Sequence, residues 1–542
     1  MTDRSRIIFG NNIDARTRGQ AVRGKEKFLK RFGDDGGVCH IDAVDAPVIG
    51  ARLGVRQLVE RGAGDKGSEA TAAEAATTGA AEAATTIAPE AATAGVPEAA
   101  GTFSITEDAL IQPPFPETGR TLLGAAGKPV VIGNIRMGFG HYRIAMAFAS
   151  CAHAMGFVPY WMDLCGFPST TASKIIQSQN ELYSLGSRLS QKSRLFNALY
   201  WEPLNSEGFR QLTYNAKDQK TAELMVAPFA DLPSDVPFVG THAWTAQAAV
   251  HAGLTHVVNA IPDNWPMALH LAEGAIHTVQ TPSAYYGYKM LRGMGGKPLF
   301  GSPRVLKPMP KGSLYDVGHY IDHELVANAD ADCERRSRRV LSGEPIRYLL
   351  TVGGAGAQYD LFKGIIEHLL PLVQRNQATL LVNVGDHKDV WDKLVAAIPV
   401  LAHATCHFGD FDEVEAFATA ALDGPMEGIH AFYDADIFAA VYSTNLLMRA
   451  CDLLVTKPSE LAYYPVPKLM IRRVGGHEAW GAIRAAELGD GTYEMQTLPE
   501  ICAMIDCFQA EPELIDFMCT TIRAEVSYGT YDGAYNALLL AM

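Results

Sequence analysis

The chain has 542 residues, 48% of them hydrophobic, and a formal net charge of −14. That length supports several cores, the apolar share is that of a globular protein, and the acidity argues against a general nucleic-acid role. The 9 cysteines form no C-x-x-C pair and no Cys/His quartet, which points to buried thiols in a reducing, cytoplasmic compartment rather than to zinc.

Taken in chain order, residues 1–61 form an extension of unassigned role, beginning without a signal-peptide pattern and closed by a short amphipathic helix over 51–61. Residues 62–120 are a low-complexity linker of Ala, Thr, Glu and Gly, as in Ala72-Ala73-Glu74-Ala75-Ala76. Such a stretch lacks the large apolar side chains that offset ordering entropy, so a disordered insert is expected. From Lys128 short apolar strands at 130–133, 158–162, 238–239, 256–261 and 276–280 alternate with helices at 141–155 and 244–252. The Gly- and Pro-rich stretch 293–312 breaks the rhythm. A second series begins at Arg347, with strands at 379–384, 453–456 and 468–471, and 512–542 is helical. This alternation implies parallel α/β sheets in two Rossmann-like domains, 121–310 and 311–542, with a ligand crevice at the carboxyl ends of their strands. No apolar run reaches the ~18 residues of a membrane span. Peripheral membrane contact stays open, without a visible signature.

Each series opens on a glycine-rich loop. The first runs through Met137-Gly138-Phe139-Gly140-His141, and the second is Gly353-Gly354-Ala355-Gly356-Ala357. Glycine lets backbone approach a ligand closely, and the helix start behind it presents unpaired N–H groups. Arg143 and Tyr359 stand where G-x-G-x-x-G needs its third small residue, and neither loop carries G-K-[ST]. A dehydrogenase therefore ranks last, although Asp163 ends the strand where a ribose-binding acid would sit.

The loop Gly138-Phe139-Gly140-His141 resembles the glycine-glycine-histidine loop that opens lipid-linked glycosyltransferases of the GT-B fold. It is similar to the loop of monogalactosyldiacylglycerol synthases and of the lipid-intermediate N-acetylglucosaminyltransferase of peptidoglycan assembly. The segment Val257-Val258-Asn259-Ala260-Ile261-Pro262-Asp263, with Trp265 and His270 beyond, resembles the galactolipid synthases' central strand and aspartate. Asp452-Leu453-Leu454-Val455-Thr456-Lys457, Glu460 before Pro467, and Gly476-His477-Glu478-Ala479 resemble the family's donor-site strand, ribose-binding acid and G-Q-E-A segment. Only Pro458-Ser459 separate Lys457 from Glu460, where the family carries a longer turn that helps hold the donor diphosphate. Residues 406–434 read as an acidic insertion, and Asp434-Ala435-Asp436 has the letters of a metal motif but is expected to begin a helix.

The resemblance implies a GT-B-like fold and an inverting, metal-independent transfer of a sugar from a nucleotide diphosphate, with UDP the favoured nucleotide, to a hydroxyl acceptor. The nucleotide-sugar is substrate, no cofactor is implied, and a lipid-linked acceptor fits. On this reading His141 is the general base, at a helix start where its cationic form is disfavoured. Alone, the same histidine could as well hydrogen-bond the neighbouring loop. Asp263 is the competing base, on a Pro-Asp-Asn sequence that is also ordinary turn chemistry. The donor side comprises Gly353, Gly354, Gly356, Lys457, Ser459, Glu460, Gly476, His477 and Glu478. The acceptor side comprises Met137, Gly138, Gly140, Trp244 and Trp265. Two rivals remain: an epimerase or phosphorylase on the same fold, and a catalytically inactive nucleotide-binding protein.

Overall fold

The structure, a computed structural model, describes residues 3–46, 48–62, 127–136, 139–192, 208–296, 304–352 and 358–542. The expected linker, Met137 and Gly138, and the loop 353–357 lie outside the described residues.

After a small hairpin of β1 (Ile7–Ile8) and β2 (Asn11–Asn12), the first sheet is built from eight strands. These are β3 (Ile41–Asp45), β4 (Arg56–Glu60), β5 (Lys128–Asn134), β6 (Phe157–Asp163), β7 (Phe238–Gly240), β8 (Val257–Ala260), β9 (Ile276–Val279) and β10 (Leu314–Asp316). Their order is β10-β9-β8-β7-β5-β6-β4-β3, parallel except where β3 meets β4. The second sheet holds β11 (Ile346–Thr351), β12 (Ala378–Asn383), β13 (Thr405–Phe408), β14 (Ile429–Tyr433), β15 (Leu453–Thr456) and β16 (Lys468–Met470). Its order is β13-β14-β12-β11-β15-β16, parallel throughout. Central strands such as Leu380-Leu381-Val382 and Leu453-Leu454-Val455 are apolar at every position because helices cover both faces, and these residues are buried. Two Rossmann-like domains thus face each other, which is the GT-B arrangement.

Several segments differ from expectation. The expected helix at 51–61 stops at Leu53, because Gly54 takes a left-handed conformation (φ 61°) and Arg56–Glu60 then pairs with β3 and β6. Residues 1–61 therefore contribute two strands to the first sheet. Residues 406–434 are no insertion: they hold most of β13, the helix Phe411–Ala421 and β14. The glycine- and proline-rich stretch ends in β10, which pairs with β9, so the first sheet closes at Asp316. The last helix, Gly533–Ala541, crosses back and packs Ala534, Ala537 and Leu538 into a core shared with Phe148 and Tyr320. Asp436 caps the helix Ile437–Ala450 by accepting from the N–H groups of Phe438 and Ala439.

The connections after the neighbouring strands β5 and β7 of the first sheet leave in opposite directions, as do those after β11 and β15 of the second. Such a switch point opens a crevice at the strand ends. The two crevices face each other. Arg136 after β5 pairs with Asp386 after β12 at 3.2 Å, and Phe139 packs 5.9 Å from the ring of His387.

Candidate functional site

The first crevice is a histidine cluster held by backbone. His141 opens the helix Gly140–Ala154, and its Nδ1 lies 2.7 Å from the carbonyl oxygen of Thr241, just after β7. A carbonyl can only accept, so Nδ1 carries the hydrogen and Nε2 keeps its lone pair. Burial pushes His141 below the ordinary histidine value, while the charges of Asp263 and Glu460 pull the other way. His242 has the opposite tautomer. Its Nδ1 accepts the Trp244 N–H at 3.1 Å as the cap of the helix Ala243–Ala252, leaving hydrogen on Nε2. The two rings meet edge-on at 4.8 Å. Burial and the neighbouring histidines keep His242 neutral.

Asp263 follows β8 and lies 3.3 Å from Nε2 of His270, whose Nδ1 is 2.7 Å from the Tyr288 hydroxyl. Burial drives His270 down to about 4, so its ring is neutral, and the Tyr288 hydroxyl that meets it donates to the Trp265 carbonyl at 3.1 Å. A cavity of about 40 Å³ is bounded by His141, Thr241, His242, Asn259, Pro262 and His270. That volume holds a water or one small polar group. Asn134, at the end of β5, is fully buried, and its side-chain amide has no partner among the described residues.

The second crevice is charged. Lys457, just past β15, pairs with Glu478, whose other oxygen accepts the N–H groups of Val474 (2.7 Å) and Gly475 (3.1 Å). Burial opposes both charges, yet the pairing prevails: Lys457 is raised above its ordinary value and Glu478 lowered below its own. Glu460 begins a single 3₁₀ turn and faces the other domain. Its Oε1 is 3.9 Å from Nε of Arg143, and a Cβ on Gly140 would sit 3.1 Å from its Oε2. Glycine at 140 thus admits the glutamate to the start of the His141 helix. The Ser459 hydroxyl makes no capping bond, and its N–H closes the short turn on the Lys457 carbonyl at 2.8 Å. His477 is half-buried, and its charge would disfavour protonation of His270 across the crevice. Gly476 is exposed.

The expected residues His141, Asp263, Gly140, Lys457, Glu460, His477 and Glu478 therefore meet around one cleft. Trp265 joins them, stacking on Trp480 of the second domain (5.8 Å, 30°) under the Arg210 guanidinium, 4.4 Å away. Trp244 does not: it is buried in the core beside Asp218. Its ring lies against the helix Leu212–Ala222, which carries Asp218, and 5.3 Å from the ring of His242. His242 and Trp480 were not among the residues expected here, and Arg143 and His270 had been given no role. Thr241-His242 at a strand end was the available signal for the first, since a cap position there must look into the crevice. Arg143 is buried, donates to Asn445 at 2.7 Å and so ties the His141 helix to the helix Ile437–Ala450. Among the described residues no group of three His, Cys, Asp or Glu side chains is arranged to hold a metal ion. Among them, no helix is long and apolar enough to cross a membrane.

Residues 309–542 match the family described as "Domain of unknown function (DUF6938)", and residues 100–290 match "Domain of unknown function (DUF6937)". No curated protein matches the chain. Among solved structures, it is similar to the UDP-GlcNAc 2-epimerase of Neisseria meningitidis bound to UDP-GlcNAc, at 11% identity and TM-score 0.40, over 75% of this chain and 97% of that one. A putative UDP-N-acetylglucosamine 2-epimerase from Listeria monocytogenes matches at 14% identity and TM-score 0.39, over 76% and 94%. The trehalose 6-phosphate synthase of Burkholderia multivorans matches at 11% identity and TM-score 0.37, over 76% and 98%. The order and facing of the two sheets, not these distant likenesses, carry the fold assignment.

Proposed function

We propose that the protein is a GT-B glycosyltransferase that moves a sugar from a nucleotide diphosphate, UDP by preference, to a hydroxyl acceptor. The observation that carries this reading is the tautomer of His141. A neutral imidazole with its lone pair on Nε2 stands at one switch point, directly across from a lysine and a carboxylate at the other. In the proposed step Nε2 of His141 takes the acceptor O–H proton as the acceptor oxygen bonds the sugar's anomeric carbon. The bond from that carbon to the diphosphate breaks, and the diphosphate leaves with the electron pair. Lys457 meets the developing negative charge, a role that suits a cation already charged when buried. Glu460 accepts from ribose hydroxyls, and Asp263 with His270 orients the acceptor. A soluble acceptor or a lipid-linked one fits equally.

A second reading, a nucleotide-sugar epimerase, is favoured by one feature: the cavity beside His141 is only about 40 Å³. A reaction within one substrate needs no room for another. Turnover of UDP-sugars with and without added acceptors separates the two. Release of UDP only when acceptor is present supports transfer, whereas interconversion of the sugar alone overturns it. No turnover, with UDP still bound, would leave a nucleotide-binding protein.

A further inference from the structure

Strand β7 ends at Gly240, and two residues later His242 caps the helix Ala243–Ala252, its Nδ1 accepting the Trp244 N–H at 3.1 Å. Serine, threonine, asparagine and aspartate are the ordinary caps, and they cap with an oxygen. A histidine there brings a second ring nitrogen, and capping through Nδ1 leaves a hydrogen on Nε2. Its neighbour is the mirror case. Nδ1 of His141 is engaged by the Thr241 carbonyl at 2.7 Å, which leaves a lone pair on Nε2. No group among the described residues hydrogen-bonds either Nε2. Both rings border the cavity of about 40 Å³, and their centroids lie 4.8 Å apart. Ala243, Ala260, Pro262 and Leu269 give it apolar walls. The Thr241 hydroxyl is held by the carbonyls of His141 (3.2 Å) and Gly133 (3.4 Å), and the Asn259 amide donates to the His270 carbonyl at 2.6 Å. One donor and one acceptor therefore remain at a space the size of one small polar group. Burial lowers both histidines below their ordinary value, which favours the neutral ring in each.

We propose that this cavity is a site for a single hydroxyl group and that His242 is a second catalytic residue of the transfer reaction. A hydroxyl can satisfy both nitrogens at once: its oxygen accepts the Nε2–H of His242, and its hydrogen is donated to Nε2 of His141. Water fills this role in the free protein and an alcohol in the working one. An alcohol oxygen has two lone pairs, so the one held by His242 leaves the second for the anomeric carbon. As that C–O bond forms, the proton passes to Nε2 of His141. The bond from carbon to diphosphate breaks, and the diphosphate leaves with its electron pair. His242 keeps its own hydrogen throughout and meets the negative charge that the oxygen gains as its proton moves away. A neutral amine has one lone pair, which the same N–H would occupy, so the two tautomers together select oxygen over nitrogen nucleophiles. The catalytic role rests on the transfer proposed above, whereas the hydroxyl site does not.

The probes are water and methanol. Crystals of the full chain that diffract well enough to place waters should show one water within about 3.2 Å of both Nε2 atoms, replaced by the methanol oxygen after soaking. A dry cavity, or a water that meets only one of the two nitrogens, overturns the site. Two variants then separate capping from catalysis. His242→Ser keeps a capping oxygen but nothing that reaches the cavity, whereas His242→Gln gives up the cap and keeps an N–H at about the reach of Nε2. With UDP-glucose or UDP-GlcNAc as donor and methanol as acceptor, wild type and His242→Gln should form the methyl glycoside. His242→Ser should form it about 10²-fold more slowly while melting at the wild-type temperature, and His242→Gln should melt lower. A residue that only caps its helix predicts the reverse order of rates, and that result removes the catalytic role. Equal rates in wild type and His242→Ser remove it too. Methanol seated in wild type without any methyl glycoside counts against the transfer reading, takes the catalytic role with it and leaves the hydroxyl site standing.

Discussion

The two crevices use opposite physics. In the first, histidines are neutral and their tautomers are set by backbone: Thr241 fixes His141, and the Trp244 N–H fixes His242. In the second, burial has been overcome by pairing, and Lys457 and Glu478 remain charged. A neutral base can take a proton without first losing one, and a preformed buried cation can meet a departing anion without reorganising. The contrast teaches a division of labour: proton handling on the side of the first sheet, charge recognition on the side of the second.

The largest effect should come from breaking the first side alone. His141→Ala is expected to lower kcat about 10²- to 10⁴-fold while leaving the Kd for UDP unchanged, as measured by steady-state turnover and calorimetry. Breaking the second side should do the reverse. Lys457→Met should weaken UDP binding about 10- to 100-fold. It also strands a buried carboxylate and should cost roughly 2–3 kcal/mol of stability. Adding Glu478→Gln should restore the stability, seen in denaturant midpoints, without restoring the binding.

The sides also differ in their response to pH. The folded His270 has its pKa depressed to about 4 from an ordinary 6.5, so the unfolded chain binds a proton that the folded chain refuses. Its contribution is fully present above pH 6.5 and is lost as pH falls towards 4, by about 3 kcal/mol in all. His270→Gln should flatten that part of the urea-stability profile. On the second side, the stability held by Glu478, whose pKa is lowered, persists to lower pH and fades only below its ordinary value of 4.5. The smallest effect concerns the bridge between the sides. Trp480→Ala removes the stack on Trp265 and should cost about 1 kcal/mol, read as a modest rise in KM with little change in kcat.

Much of this was legible in the sequence for a physical reason. Apolar runs of strand length bounded by glycine report a buried parallel sheet directly, and the glycine-rich loops mark where its strands turn. The misreadings fall where tertiary context decides. Arg56-Gln57-Leu58-Val59-Glu60 has the period of an amphipathic surface but is claimed by the first sheet, where it lies between β3 and β6. Thr405–Phe408 and Ile429–Tyr433 are short strands separated by acidic helix surface, which imitates an insertion. Trp244 and Trp265 look alike in sequence, and only the packing shows that one faces the core and the other the cleft. His242 acquires its role from a tautomer, and a tautomer is set by a neighbour distant in sequence or by a cap, not by composition.

The most direct test is calorimetric titration of UDP into the wild-type protein, His141→Ala and Lys457→Met under one condition. The account predicts that UDP binds wild type and His141→Ala with the same Kd and binds Lys457→Met far more weakly. Absence of UDP binding to wild type at millimolar concentration, or an equal loss in both variants, would contradict it.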